Sequence, residues 1–280
     1  MEILVNELSL DGQFSSEMDF LENGLRPILY IIKEINDIGN SILLFKKSDL
    51  FDAKVSLQFS LRDILKTGKL PPFSELTAFK SQLVQLERDP YWDMNPIQTS
   101  NSTYFFNNKN ISNSSLAEAS ERDKFVLSFH HPDFLKEQLI LLKNELDIFI
   151  DNLFKKGSLT QLAYDRKSIS FEKYCLVHFA KSKLDFSQID ATNGFNLLSL
   201  ADEGSFLTAF KAFSESSWHQ IHNSDGLRYK LYGDQNRFKQ LGQKIYKFRV
   251  SDVKRCFGYR KDDRFIVVRF ALDHSLSDEG

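Results

Sequence analysis

The spacing of apolar residues along the chain changes at Gly226. Before this glycine, apolar residues recur mostly at intervals of three and four, which is the spacing of one face of a helix. The strongest such stretch starts at Asp202 or Ser205 and continues through Ile221. Another stretch, over 16–35, follows serines that can cap a helix. This part of the chain is therefore predicted to be mostly helical.

Short strands are expected between these helices. Apolar or alternating runs predict them over 3–5, 41–45, 55–59 and 124–129, and 139–142 fits a strand or the start of a helix. Pro27 lies inside the first helical stretch and predicts a kink or a break there. A further helix is predicted from Asn144 to Lys155, with Gly157 ending it.

After Gly226, apolar and polar residues alternate with the period of two that is typical of strands. The alternating runs lie at 228–232, 246–250 and 255–259, and the apolar run over 265–270 predicts a buried strand. Together they predict an antiparallel β meander of three or four strands. The expected fold class is α+β. A mostly helical N-terminal body with short strands covers 1–200, and a β-rich C-terminal domain with its entry helix covers 201–280.

Charge is distributed unevenly between these two parts. The stretch from Leu227 to Arg269 holds thirteen Lys and Arg but only four Asp, a formal charge of +9. The whole chain carries −2, so the remainder carries −11. A basic sheet of this kind favours a polyanionic partner, RNA or the ribosome. Three alternatives stay open: an acidic protein partner, the chain's own acidic body, and a sheet face that is simply solvated.

The chain lacks the short motifs of several enzyme classes. It has no Gly-rich phosphate loop ending in Lys-Ser/Thr, no dinucleotide fingerprint, no Cys-x-x-Cys pair and no His-Glu-x-x-His. ATPases, Rossmann enzymes, zinc fingers and zincin proteases are therefore disfavoured, and we expect neither a metal nor another cofactor. The two cysteines, Cys175 and Cys256, lie far apart in sequence and suit a reducing compartment.

The hydrophobic fraction of 42% is ordinary for a soluble globular protein. The apolar run over 27–32 is far shorter than the ~20 residues that span a bilayer. The first residues lack a basic region ahead of an apolar run, so no secretory signal is expected. We therefore expect a cytoplasmic protein that does not contact a membrane.

The basic meander supplies the candidate site residues. Aromatic residues alternate with its cations, which suits a phosphate backbone with stacked bases. The predicted nucleic-acid-binding residues are Lys244, Lys247, Lys254, Tyr259, Arg260 and Arg269. His274 follows the last predicted strand in sequence, and we predict that its imidazole transfers a proton during RNA cleavage while Arg255 or Arg249 holds the phosphate.

Three basic runs and a closing histidine resemble RelE/ParE-like toxins of bacterial toxin and phage-defence modules. The runs cover 244–249, 253–260 and 264–270, and His274 follows them. The resemblance covers roughly 205–275 and implies basic antiparallel strands with a C-terminal histidine beside the sheet. It implies that Arg249 and Arg255 bind phosphate and that His274 transfers a proton in a metal-independent ribonuclease.

Such toxins are small free-standing domains, whereas an acidic body of some 200 residues precedes the basic sheet here. The sequence therefore supports two hypotheses of function. The first is a toxin-like or antiviral defence protein whose basic sheet engages RNA or the translation machinery. The alternative is a non-catalytic adaptor or assembly subunit that binds an acidic protein, for example one encoded nearby, or its own acidic body.

Overall fold

The computed structural model describes residues 1–39, 42–66, 90–189 and 191–273. The chain divides into two compact units, Met1–Ser168 and Ile169–Gly280. Each unit combines helices with a sheet, which confirms the predicted α+β class with antiparallel strands near the C-terminus. The boundary drawn from the sequence, between 200 and 201, falls inside the second unit.

The first unit is built on a seven-stranded sheet. In chain order its strands are β1 Glu2–Asn6, β2 Leu43–Phe45, β3 Tyr104–Phe106, β4 Lys109–Asn110, β5 Phe125–Ser128, β6 Gln138–Lys143 and β7 Leu146–Leu153. Their order across the sheet is β2-β1-β5-β7-β6-β3-β4. The pairs among the first four are parallel, and the remaining pairs are antiparallel. The sequence indicated separate short strands, and tertiary pairing joins most of them into one sheet.

Two predictions for this unit are wrong. The segment over 144–155 was expected to be a helix, but most of it forms strand β7. Asn144 and Glu145 both adopt positive φ, 48° and 70°, and make the tight turn of a hairpin with β6. The run over 55–59 forms no regular strand; only isolated bridges occur around it, at Lys54 and Ser56.

Within its described residues, the α-helices of the first unit are α1 Glu17–Asp19, α2 Arg26–Ile38, α3 Leu61–Lys66, α4 Ser115–Glu121 and α5 Ser158–Asp165. A π-helical turn, Phe20–Leu25, links α1 to α2. The Ser16 hydroxyl accepts the Asp19 N–H at 3.1 Å, so the predicted serine cap is confirmed. Pro27 lies in the first turn of α2, directly after the π-helical turn, so the regular α-helical pattern is interrupted next to the proline.

The second unit contains a five-stranded sheet and three described helices. The helices are α6 Phe171–His178, α7 Leu200–Glu215 and α8 Trp218–Asn223. The strands are β8 Leu184–Asp185, β9 Lys230–Leu231, β10 Tyr246–Arg249, β11 Arg255–Lys261 and β12 Arg264–Ala271, in the order β8-β12-β11-β10-β9. Strands β9 to β12 form the predicted antiparallel meander, and β8 adds a parallel edge strand.

The segment predicted as one helix ending at Ile221 forms two helices, because the helical conformation is interrupted at Ser216 and Ser217. Both helices begin with a capping box: Ser199 pairs with Asp202 at the start of α7, and Ser217 pairs with Gln220 at the start of α8. The longest described helix, α7, has 16 residues, and within the described residues no helix is long and apolar enough to cross a membrane.

Both faces of the second sheet are covered. On one face, three phenylalanines of α7 pack on strand phenylalanines; for example, the rings of Phe206 and Phe270 lie 4.6 Å apart, and those of Phe213 and Phe248 lie 4.7 Å apart. On the other face, a 3-10 helix over Gln235–Leu241 packs onto a second apolar cluster. Basic side chains of the strands therefore reach solvent mainly at the turns and edges of this sheet.

Candidate functional site

The two predicted catalytic arginines lie side by side at one end of the meander, where Arg249 in β10 pairs with Arg255 in β11. Arg255 donates to the carbonyl oxygens of Ser251 at 2.7 Å, Lys254 at 2.8 Å and Asp252 at 3.1 Å. Arg249 donates to the Ser251 carbonyl and forms an ion pair with the Asp252 carboxylate. Both guanidinium groups therefore hold the turn between their strands, and their role in binding phosphate stays a prediction. His274 lies outside the described residues.

Two of the predicted RNA-binding lysines are engaged inside the unit. The Lys254 ammonium lies 2.6 Å from the Asp202 carboxylate, and this contact lowers the pKa of Asp202 to about 2, with help from hydrogen bonds of Ser199. Lys247 is only 2% exposed, and its ammonium lies 5.3 Å from the centre of the Tyr232 ring. To reach a ligand, each lysine would first have to leave these contacts.

Tyr259 and Arg269 are also drawn into the fold. The Tyr259 ring is buried, and its hydroxyl donates to Gln188 Oε1 at 2.8 Å. Arg269 is half-buried, and its Nε atom is enclosed without a hydrogen-bond partner among the described residues. Of the six predicted binding residues, Lys244 and Arg260 are the two that remain exposed.

Lys244 and Arg260 meet at one corner of the second unit. They line an open cavity of about 560 Å3 together with Gly242, Gln243, Tyr246 and Asp262. The Arg260 guanidinium carbon lies 4.0 Å from the centre of the Trp218 ring, within the range of a cation–π contact. We call Trp218, Tyr229, Lys244, Tyr246 and Arg260 the basic–aromatic corner.

Stacked rings form the aromatic part of this corner. The Tyr229 and Tyr246 rings are nearly parallel, with centres 5.1 Å apart and planes 4° from each other. Trp218 and His222 each meet Tyr229 at a steep angle, with ring centres at 5.9 and 5.0 Å. Burial raises the pKa of Tyr229, so its hydroxyl stays uncharged. Tyr246, which lines the cavity, therefore stacks on the ring of Tyr229, and Trp218 and His222 pack against that ring.

Local sequence signals place these side chains. The Ser217 capping box starts α8 so that Trp218 is its first residue, and Trp218 Nε1 donates to Asp263 Oδ1 at 2.6 Å. In the turn between β11 and β12, Asp262 has a φ of 53°, and its carbonyl accepts Arg260 Nε at 3.0 Å. These bonds hold the turn, Arg260 and Trp218 as one group.

Further cations lie next to the corner in sequence. Arg228 and Lys230 flank Tyr229, and Lys261 follows Arg260. All three are exposed, and like Lys244 they form no ion pair within the described residues. Asp262, which also lines the cavity, is the acidic residue among these cations. The corner thus combines exposed cations, a guanidinium held by hydrogen bonds, a stacked aromatic face and one acidic residue.

Sequence reasoning missed the role of Trp218, because its spacing placed it in the apolar stripe of a helix. It also left Asp262 as a turn residue. The signal for both was the short turn sequence over 261–263, which brings Arg260 and Asp263 to either side of the tryptophan. No family model, curated protein or solved structure matches the chain, so the resemblance to RelE/ParE-like toxins stays a prediction.

Proposed function

We propose that this protein acts in the cytoplasm and that its second unit binds single-stranded RNA at the basic–aromatic corner. The observation that carries the proposal is the cavity in which Lys244 and Arg260 flank the stacked ring of Tyr246. Cations attract the phosphate backbone, and unpaired bases stack on aromatic side chains and on guanidinium planes. The corner brings both kinds of contact into one open cavity.

The carboxylate of Asp262 favours RNA over DNA as the ligand. It lines the same cavity as Lys244 and Arg260, where it weakens the attraction for phosphate. A ribose 2′-hydroxyl can donate a hydrogen bond to this carboxylate, and deoxyribose has no such donor. Hydrogen bonds to a charged acceptor are stronger than those between neutral groups. Such a bond offsets part of the repulsion between Asp262 and the phosphates of RNA, and DNA cannot form it.

The proposal extends to a toxin-like or defence protein that engages RNA or the translation machinery. In that reading, His274 transfers a proton while Arg249 and Arg255 hold the scissile phosphate. The two arginines would first have to release the turn carbonyls that they now bind. Binding at the corner needs no such rearrangement, so we place binding first and cleavage as a second step to be tested separately.

The test is binding of a labelled single-stranded RNA to the full chain, followed by fluorescence anisotropy between roughly 50 and 200 mM salt. Tyr246→Ala should weaken binding by about 1–3 kcal/mol, the contribution of one stacked base. Arg260→Gln should lower the slope of log K against log salt by about 0.7 if it removes one phosphate contact. Lys136→Gln, at an exposed lysine of the first unit, is the matched control and should change neither quantity.

The proposed site would be refuted if the wild type bound no RNA. It would also be refuted if Tyr246→Ala and Arg260→Gln both bound RNA as strongly as the wild type does. Cleavage is measured on the same RNA with wild type and His274→Ala. If the wild type binds the RNA and leaves it intact, the ribonuclease step is wrong and the binding proposal stands.

An adaptor that binds an acidic protein, or its own acidic residues, is the second candidate. Two ion pairs favour it: Lys254 with Asp202 at 2.6 Å and Arg264 with Asp185 at 3.0 Å. In each pair, a cation of the basic stretch contacts a carboxylate from outside that stretch; Lys254 lies in the turn before β11, and Arg264 begins β12. A stable complex with a protein encoded nearby, formed by a wild type that binds no RNA, would support the adaptor.

A further inference from the structure

A second cavity with basic side chains lies on the other side of the turn between β11 and β12. It measures about 330 Å3 and is lined by Ala180, Lys181, Ser182, Lys183, Ser214, Asp263 and Arg264. Lys181 is exposed, Lys183 is half-buried, and neither forms an ion pair within the described residues. The cavity therefore presents two ammonium groups whose charge no carboxylate offsets in an ion pair.

The loop that carries these lysines is held firmly on the sheet. The Lys183 carbonyl accepts the Phe265 N–H at 2.6 Å, just before β8 pairs with β12. The Ser182 hydroxyl accepts the Leu184 N–H at 3.0 Å and bonds to Ser214 at 3.2 Å. The backbone is thus fixed, and the lysine side chains project from a defined position.

Arg264 contributes to this cavity mainly as a structural group. Its guanidinium forms an ion pair with Asp185 at 3.0 Å and donates to the carbonyls of Ala180 and Leu184. These three acceptors account for most of its donors. The lysines, Lys181 and Lys183, are the groups in this cavity that can meet an anion without breaking such contacts.

The two cavities share the turn between β11 and β12. Arg260 and Asp262 line the first, whereas Asp263 and Arg264 line the second. Trp218 connects them, because its ring lies under the Arg260 guanidinium and its Nε1 donates to Asp263. Only one strand-to-strand turn therefore separates the Lys244 side from the Lys183 side, and Lys261, the last residue of β11, directly precedes that turn.

We propose that the loop with Lys181 and Lys183 is the second half of the RNA site, and that one extended strand crosses the β11–β12 turn with phosphates in both cavities. The inference rests on the proposed function. Aromatic rings lie at the first cavity alone, so bases stack there while the second cavity holds backbone. The ligand class is a single strand several nucleotides long, which supplies a phosphate to each cavity.

The experiment compares the full-length wild type with a double variant, Lys181→Gln with Lys183→Gln. The probes are a dinucleotide and an RNA strand of about 12 nucleotides, a length within the range of known single-strand sites. For the longer strand, loss of two phosphate contacts should lower the slope of log K against log salt by about 1.4. For the dinucleotide, affinity and slope should stay at wild-type values. Lys136→Gln with Lys156→Gln, two exposed lysines of the first unit, is the matched double control.

The outcomes separate the two proposals. If the wild type binds the longer strand and Arg260→Gln weakens it, but the double variant keeps the wild-type slope, the second half-site is wrong and the corner remains. If the double variant weakens both probes equally, the lysines act as general charge, and the crossing strand is again wrong. If the wild type binds neither probe, the proposed function fails, and this inference fails with it.

Discussion

A methyl group at Gly258 would collide with the neighbouring strand. A Cβ atom there would lie 2.2 Å from the carbonyl oxygen of Ile266 and 2.7 Å from Cε1 of Phe265. That carbonyl belongs to β12, which pairs with β11 on both sides of a register shift between Phe257 and Gly258, and rotating a side chain cannot relieve a clash with backbone. Overpacking a core costs typically 1–3 kcal/mol, and contact with fixed backbone belongs at the upper end. We expect Gly258→Ala to lower the free energy of unfolding by about 3 kcal/mol.

Gly204→Ala is the matched control in the same unit. Gly204 lies inside helix α7, and a Cβ atom there would meet no atom within 4 Å. Alanine is about 1 kcal/mol more favourable than glycine in a helix interior, so this change should raise the free energy of unfolding. Urea unfolding followed by far-UV circular dichroism and tryptophan fluorescence measures both variants. Opposite shifts of the urea midpoint are the expected result.

A Gly258→Ala midpoint within error of the wild type would refute the close approach of β11 to β12. The same variant also reports on the site, because Gly258 pairs with Tyr246 in β10. Displacing β12 should move Tyr246 relative to Arg260 and weaken RNA binding in the variant that still folds. Gly204→Ala should bind RNA as the wild type does.

Three further changes test separate parts of the molecule. Lys254 lowers the pKa of Asp202 to about 2, so this carboxylate stabilises the fold above its ordinary value of 3.8 and loses that effect as the pH falls toward 2. Urea midpoints of wild type and Asp202→Asn should converge over that range; a constant difference would contradict the ion pair. Glu145→Gly relieves a φ of 70° in the β6–β7 turn and should raise the urea midpoint, by roughly 0.5–1 kcal/mol in stability; a lower midpoint would count against that turn. Asp262→Asn should tighten DNA binding and reduce the preference for RNA in anisotropy titrations, and an unchanged preference would exclude contact with the 2′-hydroxyl.

Much of the second unit could be predicted from local patterns. Alternation with a period of two marked β10 and β11, and a continuous apolar run marked β12 as a buried strand. Phenylalanines of α7 pack on Phe248 of β10 and on Phe270 of β12. Strand β8 gave no comparable signal. It is two residues long, and only its parallel pairing of Leu184 with Phe265 makes it a strand.

The wrong helix over 144–155 has a specific cause. Its apolar residues satisfy both a helical spacing and an alternation, since Ile148 and Ile150 are separated by the exposed Phe149. The left-handed conformation of Asn144 and Glu145 decides for a hairpin. That conformation is set by pairing with β6, which no local pattern expresses.

The sequence predicted the kinds of residue that form the candidate site, and it predicted only some of the residues that lie there. A net positive stretch with aromatic residues was evident from the sequence, and Lys244 and Arg260 do line one cavity. Lys247 and Tyr259 are buried because the 3-10 helix over Gln235–Leu241 covers the face that alternation assigned to solvent. Phe238 of this 3-10 helix packs in the apolar cluster on that face, together with residues of β11 and β12.

Local patterns in the amino-acid sequence specify where helices are capped, where the period changes and that the positive charge of the chain is concentrated near its C-terminus. These properties depend on neighbouring residues, so a local pattern expresses them. The cations that stay exposed to a ligand are selected by long-range packing. A lysine or arginine in a strand can meet a carboxylate, a carbonyl, a ring or solvent, and the packing of distant elements makes that choice. In this protein it ties Arg255 to its own turn and leaves Lys244 and Arg260 open beside Tyr246.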